Sequence, residues 1–202
     1  MKKVFVFVVL AAVVVGTGFA QEEESEKEYS MAAQLSPVGF LFGTYSGNFQ
    51  YQVAPHHGLM AEIGFGATSN EFDGVTASQS RFDLGAHYRY HFNPQMDSFF
   101  LGPFVKFMSL SGDITTETED FYTGETDEET FSWDVNTVAV GASIGRRWIW
   151  TEGLSIVFRI GYGATSVSVN AGDAADDDVE LLEQFLGVVL GFDGELSIGW
   201  AF

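Results

Sequence analysis

Charged side chains in this sequence recur at every second position of several short segments. After Lys27 the chain has six basic residues, and five of them fall on the same alternation as nearby acidic and histidine side chains. Because successive side chains of a β-strand point to opposite faces, residues spaced by two share one face. We predict that these residues meet inside a β-barrel as a lumen charge network of Glu62, Arg81, Asp83, His87, Arg89, His91, Lys106, Arg147, Arg159 and Glu195.

Two roles without catalysis are open to such a network. Buried charges are costly unless they pair and hydrogen-bond, so the network could lock the strands in register and plug the barrel. It could instead form a narrow pore for small solutes or ions. The interior of an eight-stranded barrel is about wide enough for side chains alone, which favours the plug.

Catalysis would need a nucleophile, a base and an orienting acid within reach of one another. Some barrel enzymes modify lipids with a His and Ser pair near the outer rim. Here His87 and His91 lie toward the opposite end of their strand, and His56 and His57 lie in a tight turn. No set of Ser, His and acid assembles from these spacings. We therefore predict no enzyme activity, no catalytic residues, no cofactor and no metal site.

Two segments, 113–130 and 170–191, are strongly acidic. They could recruit divalent cations or a basic partner. Neither has the ligand spacing and central Gly of an EF-hand, so a solvated run of mutually repelling charges is the favoured interpretation. The acidic residues include Glu117, Glu119, Asp120, Glu125, Asp127, Glu128 and Glu129 in the first segment, and Asp173, Asp176, Asp177, Asp178, Glu180 and Glu183 in the second.

The elements that position these groups are strands. From Ser80 to Phe92, apolar residues alternate with polar ones, a period of two that is typical of a strand with one apolar face. Pro37 weakens the first strand because it removes a ladder donor. For 178–190 the spacing fits either a short helix, which we prefer, or an extension of the last strand. The eight predicted strands are about 30–42, 46–54, 59–69, 79–92, 98–112, 131–149, 154–169 and 192–202.

The connections between these strands alternate in length. The segments 54–58, 93–97 and 150–153 are tight turns, whereas 69–78, 113–130 and 170–191 are long. All the tight turns fall on the side that holds both termini. This layout predicts an all-β fold, a closed antiparallel eight-stranded transmembrane up-and-down β-barrel, with short periplasmic turns and long extracellular loops.

The face that points outward separates a membrane barrel from a soluble one. A lipocalin-like carrier would turn its apolar residues inward. The small residues on the polar face, such as Gly85, Gly141 and Gly163, suit a crowded lumen, and bulky aromatics do not. We therefore expect the apolar faces to contact lipid. An aromatic girdle is expected at the periplasmic interface, formed by Tyr90, Phe92, Phe99, Trp148, Trp150, Trp200 and Phe202.

The last eight residues, ELSIGWAF, alternate outward-facing apolar side chains and end on an aromatic carboxyl terminus. They resemble the terminal strand that the outer-membrane assembly machinery reads, with Glu195, Trp200 and Phe202 fitting this assembly signal and Ser197 standing where Gly is usual. With the strand count, the chain resembles the small eight-stranded outer-membrane barrels of the OmpA membrane domain and OmpX type. The resemblance covers the architecture of about 30–202 and implies the outer-membrane bilayer and the assembly machinery as partners.

The amino terminus indicates export. Lys2 and Lys3 precede an apolar run from Val4 to Val15 and then small residues, as in a cleavable signal peptide. We expect the signal peptide to cover 1–20, a flexible acidic segment to cover 21–29 and the barrel to cover 30–202. The run is shorter than the roughly 20 residues that span a bilayer as a helix.

Composition narrows the function further. The chain has no Cys, which excludes disulfides, thiolate metal sites and a lipid-anchored amino terminus. Without the first 20 residues it has 28 acidic against 7 basic residues, so nucleic acid is not an expected partner. We predict a monomeric, non-enzymatic integral protein of the bacterial outer membrane, with a structural or surface-interaction role through its extracellular loops. The alternatives are a narrow pore and a lipid-modifying enzyme.

Overall fold

Eight antiparallel strands close into one barrel in sequence order. The computed structural model describes residues 29–40, 43–72, 75–119, 126–150, 152–170 and 185–202. The strands are β1 (Met31–Leu35), β2 (Thr44–Ala54), β3 (His57–Phe72), β4 (Val75–His91), β5 (Phe99–Glu119), β6 (Thr126–Ile149), β7 (Leu154–Asn170) and β8 (Phe192–Ala201). Each strand pairs with its neighbours in the chain, and β1 pairs with β8 to close the ring. The predicted fold class is confirmed.

Two helical segments flank the ring. The first, α1 (Pro37–Phe40), lies in the second half of the predicted strand 30–42. The prediction was wrong there, because the strand itself ends at Leu35. Pro37 stands at the first helical position, where a missing N–H costs nothing. The second, α2, covers the described residues 185–190 and agrees with the short helix expected before the last strand. Among the described residues, no helix is long and apolar enough to cross a bilayer.

The strands have very different lengths. β5 and β6 stay paired from Phe99 and Arg146 out to Glu119 and Thr126, so most of the predicted loop 113–130 is strand. β3 and β4 stay paired as far as Phe72 and Val75, so the predicted loop 69–78 is a hairpin as well. These segments lack the apolar alternation of the barrel body, yet their many Thr residues favour extended backbone.

We call the end of the barrel that holds Met31 and Phe202 the near end, and the opposite end the far end. At the near end, Pro55 and His56 form a two-residue turn in which His56 has a φ of 69°. Gly153 has a φ of 91° in the turn between β6 and β7, a conformation that suits a residue without Cβ. A small apolar cluster of Ala32, Met96, Ile149 and Ala201, with Tyr29 against it, lies at this end of the barrel.

The barrel body is apolar outside and polar inside. The outward residues Leu101, Ile144 and Ile160 are cross-strand neighbours and are about half exposed. The inward residues Arg89, Arg147 and Arg159 are almost fully buried. A soluble barrel would have the reverse arrangement, because charged groups prefer water and apolar groups avoid it.

Candidate functional site

The centre of the lumen is organised around Arg159 on β7. Its guanidinium contacts three carboxylates, with Nη2 2.8 Å from Glu62 on β3, Nε 2.9 Å from Asp193 and Nη1 2.9 Å from Glu195 on β8. Arg159 and Glu195 are also a cross-strand pair. The planar fork of an arginine can serve several carboxylates at once, and here it ties three separate strands together.

Glu195 is the second centre of the network. Its Oε2 also accepts from Nη2 of Arg89 on β4 at 2.9 Å. Its Oε1 accepts from the amide of Asn48 on β2 at 2.8 Å and from the hydroxyl of Ser197. A buried carboxylate with this many donors is well stabilised in its charged form. Glu195 and Ser197, which the sequence places in the assembly signal, are therefore both lumen residues.

Glu62 receives a second set of neighbours. The ammonium of Lys106 lies 3.4 Å from its Oε1 and 3.7 Å from Oδ1 of Asp193. Nε2 of His87 lies 3.5 Å from Oε2, and its ring stacks on Phe104. Glu62, His87 and Asp193 offer three ligand atoms within 4.8 Å of one another. Lys106 and Arg159 already neutralise these carboxylates, so the donor set suits ion pairs and not a divalent cation.

Toward the near end the lumen arginines donate to neutral side chains. Arg147 donates to the amide oxygen of Gln34 at 3.1 Å, and Gln34 donates to Ser155 at 2.8 Å. Farther along, Gln50 accepts from Arg89 and contacts His91, which in turn contacts Ser98. Among the described residues, Arg147 forms no ion pair with a carboxylate. Its positive charge is stabilised instead by neutral polar groups such as the Gln34 amide oxygen.

Toward the far end the network thins out. Arg81 and Asp83 form a two-pronged ion pair at 2.7 and 3.0 Å, two residues apart on β4. The Arg81 side chain is 34% exposed, so this pair stands where water reaches the lumen. The Asp83 carboxylate is buried, so only the arginine end of this bidentate pair meets solvent.

Small residues make room for these side chains. A Cβ on Gly145 would lie 2.5 Å from the ring of Phe100, whose face carries the Arg89 guanidinium at 4.3 Å. Gly141 and Gly163 face each other across β6 and β7, and a Cβ on either one would meet backbone atoms of the other strand. The large inward side chains fit because their neighbours are glycines.

All ten predicted lumen residues lie on inward positions, and they meet partners there that the charge pattern did not predict. Asp193 is the most important, because it shares the face of Glu195 two residues away and contacts Arg159 and Lys106. Strict alternation from Glu195 would have found it. The neutral partners Gln34, Asn48, Gln50, Ser98 and Ser155 carry no charge and gave no such signal.

The aromatic girdle residues line the near end, with one exception. The rings of Tyr90, Phe92, Phe99, Trp150, Trp200 and Phe202 are exposed on the outside. Trp148 is only 6% exposed, and the Arg146 guanidinium lies 5.8 Å from its ring and 5.1 Å from Phe99. Trp148 is thus a buried residue at the near end, and the Arg146 guanidinium is one of its neighbours.

Arg146 is held in place by Asp97 in the connection between β4 and β5. The two groups are 2.9 Å apart, and Asp97 also accepts from the backbone N–H of Ile149 at 3.2 Å. Burial raises the pKa of the Asp97 carboxyl, against the opposing effects of the Ile149 N–H and Arg146. The stability that Asp97 contributes is therefore present at low pH and is lost as the pH rises through its pKa in the folded protein.

A second belt of exposed aromatic rings stands farther up the barrel, and the sequence analysis did not identify it. Phe40 and Tyr45 have ring centroids 5.3 Å apart, and Tyr45 stacks on Phe65 at 5.7 Å. Tyr162 and Phe192 face each other across β7 and β8. Two belts separated by aliphatic residues are typical of barrels that cross a bilayer.

Several predictions lie outside the described residues. These are the signal peptide at 1–20, almost all of the acidic segment 21–29 and the acidic residues between 171 and 184. In the first acidic segment, the positions of 117, 119 and 127–129 on β5 and β6 are given by the strand pairing.

No protein-family model matches the chain, and no curated protein sequence matches it. Among solved structures it is similar to CarO2 of Acinetobacter baumannii, with 12% identity and a TM-score of 0.45 over 86% of this chain and 98% of that one. It is also similar to Ail, the attachment invasion locus protein of Yersinia pestis, in complex with the heparin analogue sucrose octasulfate. The identity is 7% and the TM-score is 0.45, over 87% of this chain and 100% of that one. A third similar structure is a major outer membrane protein of Thermus thermophilus, with 16% identity and a TM-score of 0.45 over 88% of this chain and 100% of that one.

Proposed function

We propose that the protein is an integral, non-enzymatic barrel of the bacterial outer membrane, with a plugged lumen, that acts at the cell surface through its far-end strands. The observation that carries this proposal is the inverted barrel body, in which aliphatic and aromatic rings face outward while three arginines are buried inside. In water this arrangement would expose a continuous apolar surface, which soluble monomers avoid. In a bilayer it is favourable.

The orientation follows from the lengths of the connections. The near end has the short turns together with Met31 and Phe202, so we assign it to the periplasm. The far end, with the long β5–β6 hairpin, then lies outside the cell. This assignment leaves Glu129 of the hairpin, which is exposed, available to partners at the surface.

The plug is favoured over a pore by the contacts across the lumen. Arg159 spans from β7 to β3 and β8, and Arg89 spans from β4 to β8. These bridges cross the space through which a solute would have to pass. The apolar cluster of Ala32, Met96, Ile149 and Ala201 lies at the near end and adds a barrier to ions there.

Cell fractionation, gel mobility and planar-bilayer recording test this proposal together. We expect the protein in the outer-membrane fraction, with a mobility on a denaturing gel that changes only after boiling, and without stable single-channel currents. A soluble fraction with no heat-dependent mobility would contradict the membrane assignment. Stable currents at the single-channel level would contradict the plug.

The carboxyl-terminal assembly signal has a test that separates assembly from stability. Phe202 also closes the ring, because its backbone exchanges hydrogen bonds of 2.9 and 2.8 Å with Met31. Phe202→Ser keeps these bonds and removes only the exposed ring. We expect it to lower the amount inserted in cells several-fold while refolding into detergent is unchanged.

Phe92→Ser is the matched control, since Phe92 is an exposed near-end ring of similar exposure outside the last strand. It should insert like the unaltered protein. If both variants insert equally well, the assembly signal does not depend on the terminal ring.

A further inference from the structure

The far-end wall reverses the arrangement of the barrel body. On β5 and β6 the outward positions beyond the aromatic belt are polar, with Asp113 accepting from Ser132 at 2.7 Å and Thr115 bonded to Thr130 at 3.0 Å. The inward positions are now apolar. Leu110 pairs with Val135, and Ile114 pairs with Phe131. The same two strands thus switch their apolar face at the point where they leave the proposed membrane.

The lower part of this inner wall is filled by the protein itself. Val135 and Met108 are buried, and the Trp133 ring covers Gly112, where a Cβ would lie 2.6 Å from the indole. Gly187 of α2 lies against the neighbouring strand β7, where its carbonyl accepts from the Thr165 hydroxyl at 2.9 Å. This part of the wall is an ordinary core.

The upper part is not filled in this way. Val75, Ile114 and Phe131 are 37%, 39% and 43% exposed, and Ala77 between them is exposed too. The strand pairing puts Ala77, Ile114 and Phe131 in one row across β4, β5 and β6, with Val75 in the next row. We call these four residues the inner patch. It is about 10 Å wide, given the spacing of neighbouring strands.

The charge around the inner patch is mainly negative, because Arg81, four residues from Ala77 on the same face of β4, is paired with Asp83. Between residues 107 and 145 the sequence has nine acidic residues and no Lys, Arg or His, and no basic residue follows Arg159. Glu129 is exposed and stands in the row next to Phe131 on the same inner face, paired with Thr116. An apolar surface bordered by the exposed carboxylate of Glu129 complements a ligand with apolar and cationic groups side by side.

We propose that the inner patch binds a cationic amphipathic peptide segment, whose apolar side chains pack on Ile114 and Phe131 while a Lys or Arg pairs with Glu129. The inference deepens the proposed surface role and rests on it, since the hairpin must stand clear of the membrane. Aromatic side chains at the centre of a contact carry much of its binding energy, so Phe131 is the expected anchor. The exposed carboxylate adds salt-dependent attraction.

A defined synthetic probe tests this proposal. The protein is placed in phosphatidylcholine nanodiscs, and binding of a fluorescently labelled amphipathic peptide made of Lys and Leu is followed by anisotropy, with empty discs as background. Two control peptides keep the same pattern. One has Glu in place of Lys and therefore lacks the cations, and the other has Ser in place of Leu and therefore lacks the apolar side chains. We expect the Lys and Leu peptide to bind more tightly than both.

Matched variants on the two faces of β6 locate the site. We expect Phe131→Ser to weaken binding by about tenfold or more, and Glu129→Gln to weaken it at low salt but much less at high salt. Ser132→Ala and Asp134→Asn alter the outer face of the same strand and should leave the affinity within about twofold. Heat-dependent gel mobility confirms that each variant has the folded barrel.

Three outcomes would overturn the inference. They are equal binding by the unaltered protein and Phe131→Ser, tighter binding of the Glu and Leu peptide, or peptide-independent pairing of two copies through Phe131. Any of these in a barrel that still shows heat-dependent mobility would remove the peptide partner and leave the proposed membrane function standing. Loss of the mobility shift in the unaltered protein would instead count against the proposed function itself.

Discussion

Replacing Arg159 with methionine is expected to destabilise the folded barrel by about 3 to 5 kcal/mol. The substitution leaves the carboxylates of Glu62, Asp193 and Glu195 without their shared cation in a lumen that is closed to most water. Removing one partner of a buried ion pair costs far more than the pair contributes, because the remaining charge is left desolvated. Urea unfolding in lipid vesicles measures the difference directly.

Two variants show whether charge in the lumen is the cause. Arg146→Met also removes a guanidinium beside a carboxylate, but this one lies outside the lumen and has a single carboxylate partner, so the cost should be smaller, about 1 to 2 kcal/mol with its ring contacts included. Adding Asp193→Asn to Arg159→Met removes one of the stranded charges and should recover part of the loss. Equal, small effects of Arg159→Met and Arg146→Met would show that the lumen is wet and that the network does not hold the barrel together.

Replacing Ile144 with arginine is expected to cost about 2 to 4 kcal/mol in a bilayer. Ile144 is 53% exposed on the outer surface and is flanked by Leu101 and Ile160 on the neighbouring strands. In water an exposed Ile→Arg change would be almost neutral. The size of the effect in vesicles therefore reports directly whether this surface faces lipid.

Ser168→Arg is the matched control. Ser168 is exposed on the outer face of β7, beyond the second aromatic belt, where it pairs with Asn136. Its replacement should change the free energy of unfolding by no more than about 1 kcal/mol, as at a membrane interface. If Ile144→Arg unfolds at the same urea concentration as Ser168→Arg, the apolar band is not buried in the bilayer.

Alternation was enough to predict the barrel body. Wherever one face is apolar and the other polar, as in Phe82 to Phe92, a period of two specifies both the strand and the face of every residue. The central parts of the strands and the inward positions of the ten predicted lumen residues follow from this rule. It is reliable here because lipid outside and charge inside impose opposite demands on adjacent residues.

The rule fails where one of these demands disappears. Beyond the membrane both faces of β5 and β6 meet water, so the segment 113–119 has little alternation and looks like a loop. For the same reason, the sequence does not reveal that the apolar residues Ile114 and Phe131 point inward. Trp148 shows a different limit, since parity gives the direction of a side chain but not whether it is buried.

The pairing of β1 with β8, the shortest seam of the ring, affects the order in which the barrel folds. β1 contributes only five residues, and its pairing with β8 joins residues about 170 positions apart in the chain, such as Ala32 and Ala201. Closing so long a loop is entropically the most expensive contact in the molecule, so this seam forms late. The contacts of Asn48 with Glu195, Gln34 with Ser155 and Arg159 with Glu62 can form only after the seam closes.

An open sheet would still carry its unpaired charges on one face, which keeps it hydrated on that side and delays its entry into lipid. Closure therefore makes neutralisation of the lumen, burial in the bilayer and resistance to unfolding a single cooperative step.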